Sequence, residues 1–271
     1  MGLIKNLYRG YRWGPDFKQA QLLSFVIGEQ VLQLNLPTTI YSGIEQPHQP
    51  IYAINDPDWF SKHAKQDRQH FYVHLVSKIW HYGNTIPLPI PGIDNSVGKI
   101  NFTGAIKQLS TNGAFDTYDL THLGQLEAYI RESHFWAKPE KGKGWRGSNT
   151  KLKQKCIEEY PPRGFAEPFD SLEAYIEWMI NVHGYPSINP EVKDVGGKRF
   201  AFYVEGQGKS QTDRVYCLPI HKEYYLWLRF RHDLETASEK VRKAALVAEE
   251  RILSEMSIGE LLPEQRDVLE G

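Results

Sequence analysis

His63, His70, His74 and His81 form the densest run of imidazoles in the chain, and His70 and His74 fall on one face of either a helix or a strand. Two imidazoles so placed could ligate a metal. No glutamate follows His70 as in HExxH, and no carboxylate stands between the pair to act as a general base. With Phe71, Tyr72 and Trp80 as neighbours, the expectation is partly buried, hydrogen-bonded rings and no metal. Asp56, Asp58, Asp116 and Asp119 sit in or beside expected loops, where the expectation is solvated acids. An enzyme built from them would need His70, His74 and the Asp56 to Asp58 loop to converge only in three dimensions.

Nucleotide chemistry has one partial signature. The stretch GQGKS, residues 206 to 210, ends like a phosphate-binding loop, but Tyr203 stands where the first glycine is needed and a strand pattern follows the serine instead of a helix. A hairpin tip is the expected structure. Cys156 and Cys217 are too few and too far apart for a disulfide framework or a zinc knuckle, and Cys217 lies mid-strand between Tyr216 and Leu218, where a thiol is inert packing. There is no GxSxG elbow. No cofactor is implied.

Charge gives no global partner: 32 Lys and Arg oppose 33 Asp and Glu over 271 residues, a formal net charge of −1. A nucleic acid or anionic membrane would therefore have to be met by a local patch. The one basic patch runs from Lys138 to Lys155, with Lys141, Lys143 and Arg146 around Trp145, a pattern that could stack and neutralise a single strand. Flexible glycine-rich loops are also commonly basic for solubility, and without a second aromatic platform this plainer reading is preferred. No apolar run approaches membrane-spanning length, no signal-peptide core opens the chain, and Asn6 replaces the Ser or Thr that myristoylation requires. The expected location is the cytoplasm.

The elements that must position these residues predict an α+β fold, mostly an antiparallel sheet covered by helices, with long loops. Residues 22 to 37 read as a β-hairpin turning at Gly28-Glu29, because Val31, Gln33 and Asn35 alternate with Leu32, Leu34 and Leu36. Residues 70 to 80 fit a buried helix or strand equally. Pro87, Pro89 and Pro91 predict extended loop over 85 to 98, and KINFTGAIKQL after it is strand-like. The pentapeptide LEAYI, at 126 to 130 and 172 to 176, places Leu, Tyr and Ile on one helical face twice; its flanks differ, so it is a helix word used twice and not a repeat. Asp170 and Glu173 have capping-box spacing before the second copy.

Three strands are expected at 196 to 206, 214 to 220 and 224 to 233, the last central because both its faces are apolar. A Ser238-capped helix with Val241, Ala245, Ile252 and Met256 on one stripe should cover them. Three regions follow: an N-terminal α+β region at 1–137, a basic Gly-rich linker or loop at 138–164, and a C-terminal region at 165–271 able to form one domain with the first.

The order of the segments FVIGEQVLQLNLP, GKINFTGAI and RVYCLPIHKEYYLWLRF, followed by a helix closing on ILSEMSI, resembles the layout of bacterial immunity proteins cognate to type VI secretion effectors. That resemblance implies a non-enzymatic antitoxin that binds and inhibits one secreted toxin. Seven Trp and 15 Tyr suit such a role, since these side chains anchor protein interfaces. The expected contacts are the acidic loops with Asp56, Asp58, Asp116 and Asp119 and the basic loop with Lys141, Lys143, Trp145 and Arg146. The alternatives are the hydrolase-type enzyme and the nucleic-acid module already described.

Overall fold

The computed structural model describes residues 11–38, 51–67, 70–84, 96–109, 115–135, 148–161, 169–183, 188–206 and 211–261. The strands are β1 Arg12–Trp13, β2 Asp16–Ile27, β3 Gln30–Thr38, β4 Ile51–Tyr52, β5 Lys65–Asp67, β6 His70–Gly83, β7 Ser96–Gln108, β8 Glu191–Val195, β9 Lys198–Glu205, β10 Gln211–Pro219, β11 Tyr224–Asp233 and β12 Ser257–Glu260. The helices are α1 Pro57–His63, α2 Leu123–Phe135, α3 Ser148–Glu159, α4 Leu172–His183 and α5 Glu239–Glu255.

Eight strands form one sheet in the order β1-β6-β7-β11-β10-β9-β8, with β5 also on β6; four form a second, β12-β3-β2-β4. All pairings are antiparallel except β2 with β4. The large sheet joins the two halves of the chain, since β7 pairs with β11 over ten residue pairs, and β12 returns to β3. The two outer regions expected from sequence thus share both sheets.

The alternation of β11 decides where the cores lie. Tyr224, Leu226, Leu228 and Phe230 face inward with Phe102, Ile106, Phe200 and Tyr216, against Phe25, Leu32, Leu34 and Leu36 of the second sheet and Val241, Ala245 and Ile252 of α5. Each such fully buried apolar side chain stabilises the fold by roughly 1.5–3 kcal/mol. Tyr225, on the other face, joins Tyr203, Val215 and Cys217 under Leu126, Tyr129 and Ile130 of α2. The central place expected of β11 follows from its need for cover on both sides. A third, smaller cluster packs α3 on α4 through Cys156, Tyr175 and Met179.

The structure decides one expectation left open between helix and strand and corrects others. Residues 70 to 80 are strand, paired to β7 across a bulge at Leu75. Ser148–Glu159, expected within the basic linker, is helix: Leu152 and Cys156, four apart, give it an apolar side against Tyr175. The second LEAYI helix is capped by Ser171, whose Oγ accepts from the Ala174 amide at 3.1 Å, and not by Asp170. A β8–β9 hairpin precedes the expected strand at 198; its tip, Gly196-Gly197, has φ of +58° and +75°, and a Cβ on Gly196 would lie 2.7 Å from the Ser254 Cα. Ser238 caps α5 as expected. No helix among the described residues is long and apolar enough to cross a membrane.

Candidate functional site

Four turns, drawn from both sheets and from both halves of the chain, meet at the Tyr224 end of β11. The innermost is His221-Lys222-Glu223, closed by amides of Ile220 and His221 donating to the Tyr224 carbonyl at 3.4 and 3.1 Å. His221 Nδ1 accepts from the Glu223 amide at 3.2 Å, so the neutral ring carries its proton on Nε2. Two further bonds dock the chain around this turn: Leu109 N–H to Glu223 O at 2.7 Å and Leu120 N–H to Lys222 O at 3.0 Å. From the other side, Phe60 of α1 packs on Tyr224 with ring centroids 4.8 Å apart.

These contacts bring together the acidic residues singled out from the sequence. Asp56 is the N-cap of α1: its Oδ1 accepts from the Asp58 amide at 2.9 Å, and Pro57 starts the helix, where its missing N–H costs nothing. Asp58 follows in the first turn, where the helix dipole favours a negative charge. On the far side of the His221 turn, Asp116 is exposed beside buried Phe115. Asp119 Oδ1 accepts from both the amide and the hydroxyl of Thr121, at 3.0 and 2.5 Å. The Thr121 hydroxyl and then its amide hold the Asp119 carboxyl below its usual range, with smaller help from His122 and Lys222. Neighbouring Tyr118, which donates to Glu132 at 2.5 Å, is pushed up to about 12 by burial and by that carboxylate.

Glu29, at the tip of the β2–β3 hairpin, completes the rim. The four turns therefore carry Glu29, Asp56, Asp58, Asp116, Asp119 and Glu223 against one lysine, Lys222. Between the Gly28, Asn55 and His221 turns lies a pocket of about 340 Å³, with Ile27, Ile54 and Ile220 beneath Glu29, Gln30, Asn55 and His221. Gly28 has φ +58°, and a Cβ there would stand 3.2 Å from both Asn55 Oδ1 and Ile54 Cγ1. The left-handed glycine at this turn thus also lets two pocket walls approach.

Elsewhere the chemistry-bearing residues are held differently. The remaining candidate base, His74, has Nε2 3.3 Å from Ser77 Oγ, and burial, then Lys65, lowers its pKa, which keeps the ring neutral. Among the described residues no carboxylate completes that pair into a triad, and no group of three metal-ligating side chains is present. His63 stacks on Trp59 at 4.4 Å, and the side chain of His70 lies outside the described residues. Burial pushes both thiols up, leaving Cys156 and Cys217 as packing. Gly206 begins the β9–β10 turn at φ +73°, and β10 follows as the strand expected after GQGKS. Lys141, Lys143, Trp145 and Arg146 lie outside the described residues.

The sequence reading missed the most deeply buried charge among the described residues. Glu249 of α5 is fully buried; its Oε1 accepts from Arg214 Nε at 2.8 Å and Tyr216 OH at 2.5 Å, and its Oε2 meets His232 Nε2 at 2.8 Å. Burial works against its charge, yet the His232 hydrogen bond and the Arg214 charge outweigh it and lower the pKa. The missed signal was a glutamate four after Ala245 and three before Ile252, on the apolar stripe of α5. Both carboxylate oxygens are occupied by the protein itself, so this cluster fastens the helix to the sheet. A second pair, Arg231 to Asp213 at 2.7 and 2.8 Å, sits on the outer face beside Trp227, whose ring also receives Lys107 and Arg229.

Comparison of the chain with family models, with curated proteins and with solved structures finds no match, so the site stands on its geometry.

Proposed function

We propose that the protein is a non-enzymatic immunity protein, a cytoplasmic antitoxin that binds one secreted effector toxin and inhibits it through the acidic rim. The observation that carries the reading is the convergence of four turns from distant parts of the chain on one end of the large sheet, with six carboxylates and one lysine. The rim acids that cap turns, Asp56 and Asp119, each use one oxygen for bonds to a residue two positions away, leaving the other to act outward. A toxin acting on nucleic acid or nucleotides presents a basic surface, because phosphate must be neutralised for it to bind. An acidic rim complements such a surface, speeds encounter and occupies the substrate's place. The resemblance of the segment order in the sequence to that of type VI immunity proteins points the same way.

Mixing the purified protein with the product of the adjacent gene is expected to give a complex stable at nanomolar concentration, associating more slowly as salt is raised. Failure of the two to co-elute at low salt would sink the proposal. One observation favours a second reading: the His74–Ser77 pair, with its neutral imidazole, is the beginning of a nucleophile and base. A hydrolase using it would lose turnover of an ester panel on Ser77→Ala, whereas an inhibitor would keep full affinity for its toxin.

A further inference from the structure

Arg229, on the outer face of the large sheet, is a partly buried guanidinium that makes no hydrogen bond among the described residues. The carboxylate beside it, Asp213, lies 3.9 Å from Nη1, and both oxygens of that carboxylate already accept from Arg231, at 2.7 and 2.8 Å. Burial lowers the Arg229 pKa, and the Asp213 charge does not make up the difference. Its Nε is enclosed, but Nη1 and Nη2 are not, and the side chain is 27% exposed. Trp227 holds the group in place, its ring centroid 5.0 Å from the Arg229 Cζ. Donors held in this way without an acceptor are uncommon, and an anion would supply one.

The neighbours on this face are donors too. In the β7–β11 register Thr103 stands directly across from Arg229, and Asn101 stands across from Arg231. Residues opposite each other in a ladder project from the same face. Neither side chain makes a hydrogen bond among the described residues, and the enclosed Asn101 Oδ1 leaves Nδ2 as the outward atom of the amide. Neither β6 nor β7 contains an Asp or Glu to repel an anion.

We infer that Arg229, Thr103 and Asn101 bind a phosphate monoester of a small molecule on this outer face. The guanidinium fork matches two phosphate oxygens, and a dianionic monoester has a third for the hydroxyl and the amide. A carboxylate offers two oxygens and one charge. A nucleic-acid strand would need a cation for each of several successive phosphates, whereas here Arg231 is engaged by Asp213 and Lys99 lies 3.9 Å from Asp233. Arg229 remains, and suits one phosphate.

The test uses the full chain with labelled guanidinium and side-chain amide nitrogens, titrated at constant ionic strength and pH 7.5 with methyl phosphate, dimethyl phosphate and acetate. Methyl phosphate is expected to shift the Arg229 and Asn101 signals saturably at concentrations on the order of millimolar, with the diester and acetate roughly tenfold weaker. Arg229→Lys keeps the charge but loses the fork, and should weaken methyl phosphate by about tenfold. Thr103→Val keeps the β-branched shape that suits the strand, so it should leave the melting temperature in phosphate-free buffer unchanged while weakening methyl phosphate several-fold. No saturable shift with the parent chain folded would overturn the inference, as would affinities in both variants equal to the parent's. Dimethyl phosphate or acetate binding as tightly as methyl phosphate would overturn the monoester as its ligand. The titration needs no effector, so its outcome is independent of the inhibitor proposal.

Discussion

Glu249 and the rim acids use the same functional group in opposite ways. Glu249 is surrounded by Arg214, Tyr216 and His232, each from the inner face of the large sheet, and its charge has no access to water. The rim acids stand at the end of the same sheet, and the bonds of Asp56 and Asp119 go to residues two positions away. One carboxylate joins elements distant in the chain; Asp56 and Asp119 shape their own turns. What distinguishes them is how many partners depend on each, and so how much of the molecule responds when one is removed.

The largest expected effect is therefore at Glu249. Glu249→Ala leaves the partly buried Arg214 without its counter-charge and the buried Tyr216 and His232 without their hydrogen-bond partner, and should cost about 3–5 kcal/mol in urea unfolding. The pH dependence follows from the lowered pKa. A carboxyl whose folded value lies below the unfolded value adds stability that is complete above the usual 4.5 and is lost as pH falls through the folded value. Glu249→Gln should flatten the acid limb of the stability profile below pH 4.5; an unchanged limb would show that the network does not hold its charge.

Next comes a change in binding without a change in fold. Asp116→Lys combined with Glu223→Lys alters two exposed charges and should move stability by less than about 0.5 kcal/mol. Association with the effector is expected to slow by roughly tenfold or more at low salt, with the difference shrinking as salt screens it. Equal association rates for parent and variant would place the contact elsewhere, on the outer face around Trp227 for example. Asp56→Ala is intermediate in kind: it removes a cap and should cost about 1 kcal/mol, read as a shift in urea midpoint. It would also loosen the turn that presents Asn55 to the pocket.

How far these regions could be read from sequence depends on whether their signals are local. The Gly28-Glu29 hairpin, the central β11 and the Ser238-capped α5 were legible because alternation, turn residues and helix caps act over a few positions. The β8–β9 hairpin was passed over because Glu191, Lys193 and Asp194 make β8 a charged edge strand with little apolar alternation. Ser148–Glu159 was hidden by its lysines, since its apolar side is only Leu152 and Cys156. The rim was half legible. Asp56, Asp58, Asp116 and Asp119 could be named one by one, but their meeting depends on Leu120 reaching Lys222 and Phe60 reaching Tyr224, contacts of more than 100 residues' separation. The four partners of the Glu249 network, spread over 36 positions on three elements, are invisible to local periodicity for the same reason.

The smallest effect tests the rim's side of the contrast most sharply, because Asp119 is an acid whose hydrogen bonds are local. Thr121 gives it a hydroxyl and an amide donor, and these favour the charged form; partial burial opposes them, and His122 and Lys222 add a little. Its titration midpoint, followed by the side-chain carboxyl signal, should fall below the usual 3.8. Thr121→Ala removes the largest contribution and should bring the midpoint back up toward 3.8, while Lys222→Ala should hardly move it. Because its folded value is depressed, any stability from Asp119 is present above 3.8 and disappears as pH falls below it, over a narrower acid window than a global unfolding. If instead Lys222→Ala shifted the midpoint more than Thr121→Ala, the rim would behave as a coupled charge network, and its resemblance to the Glu249 cluster would be closer than the hydrogen bonds imply.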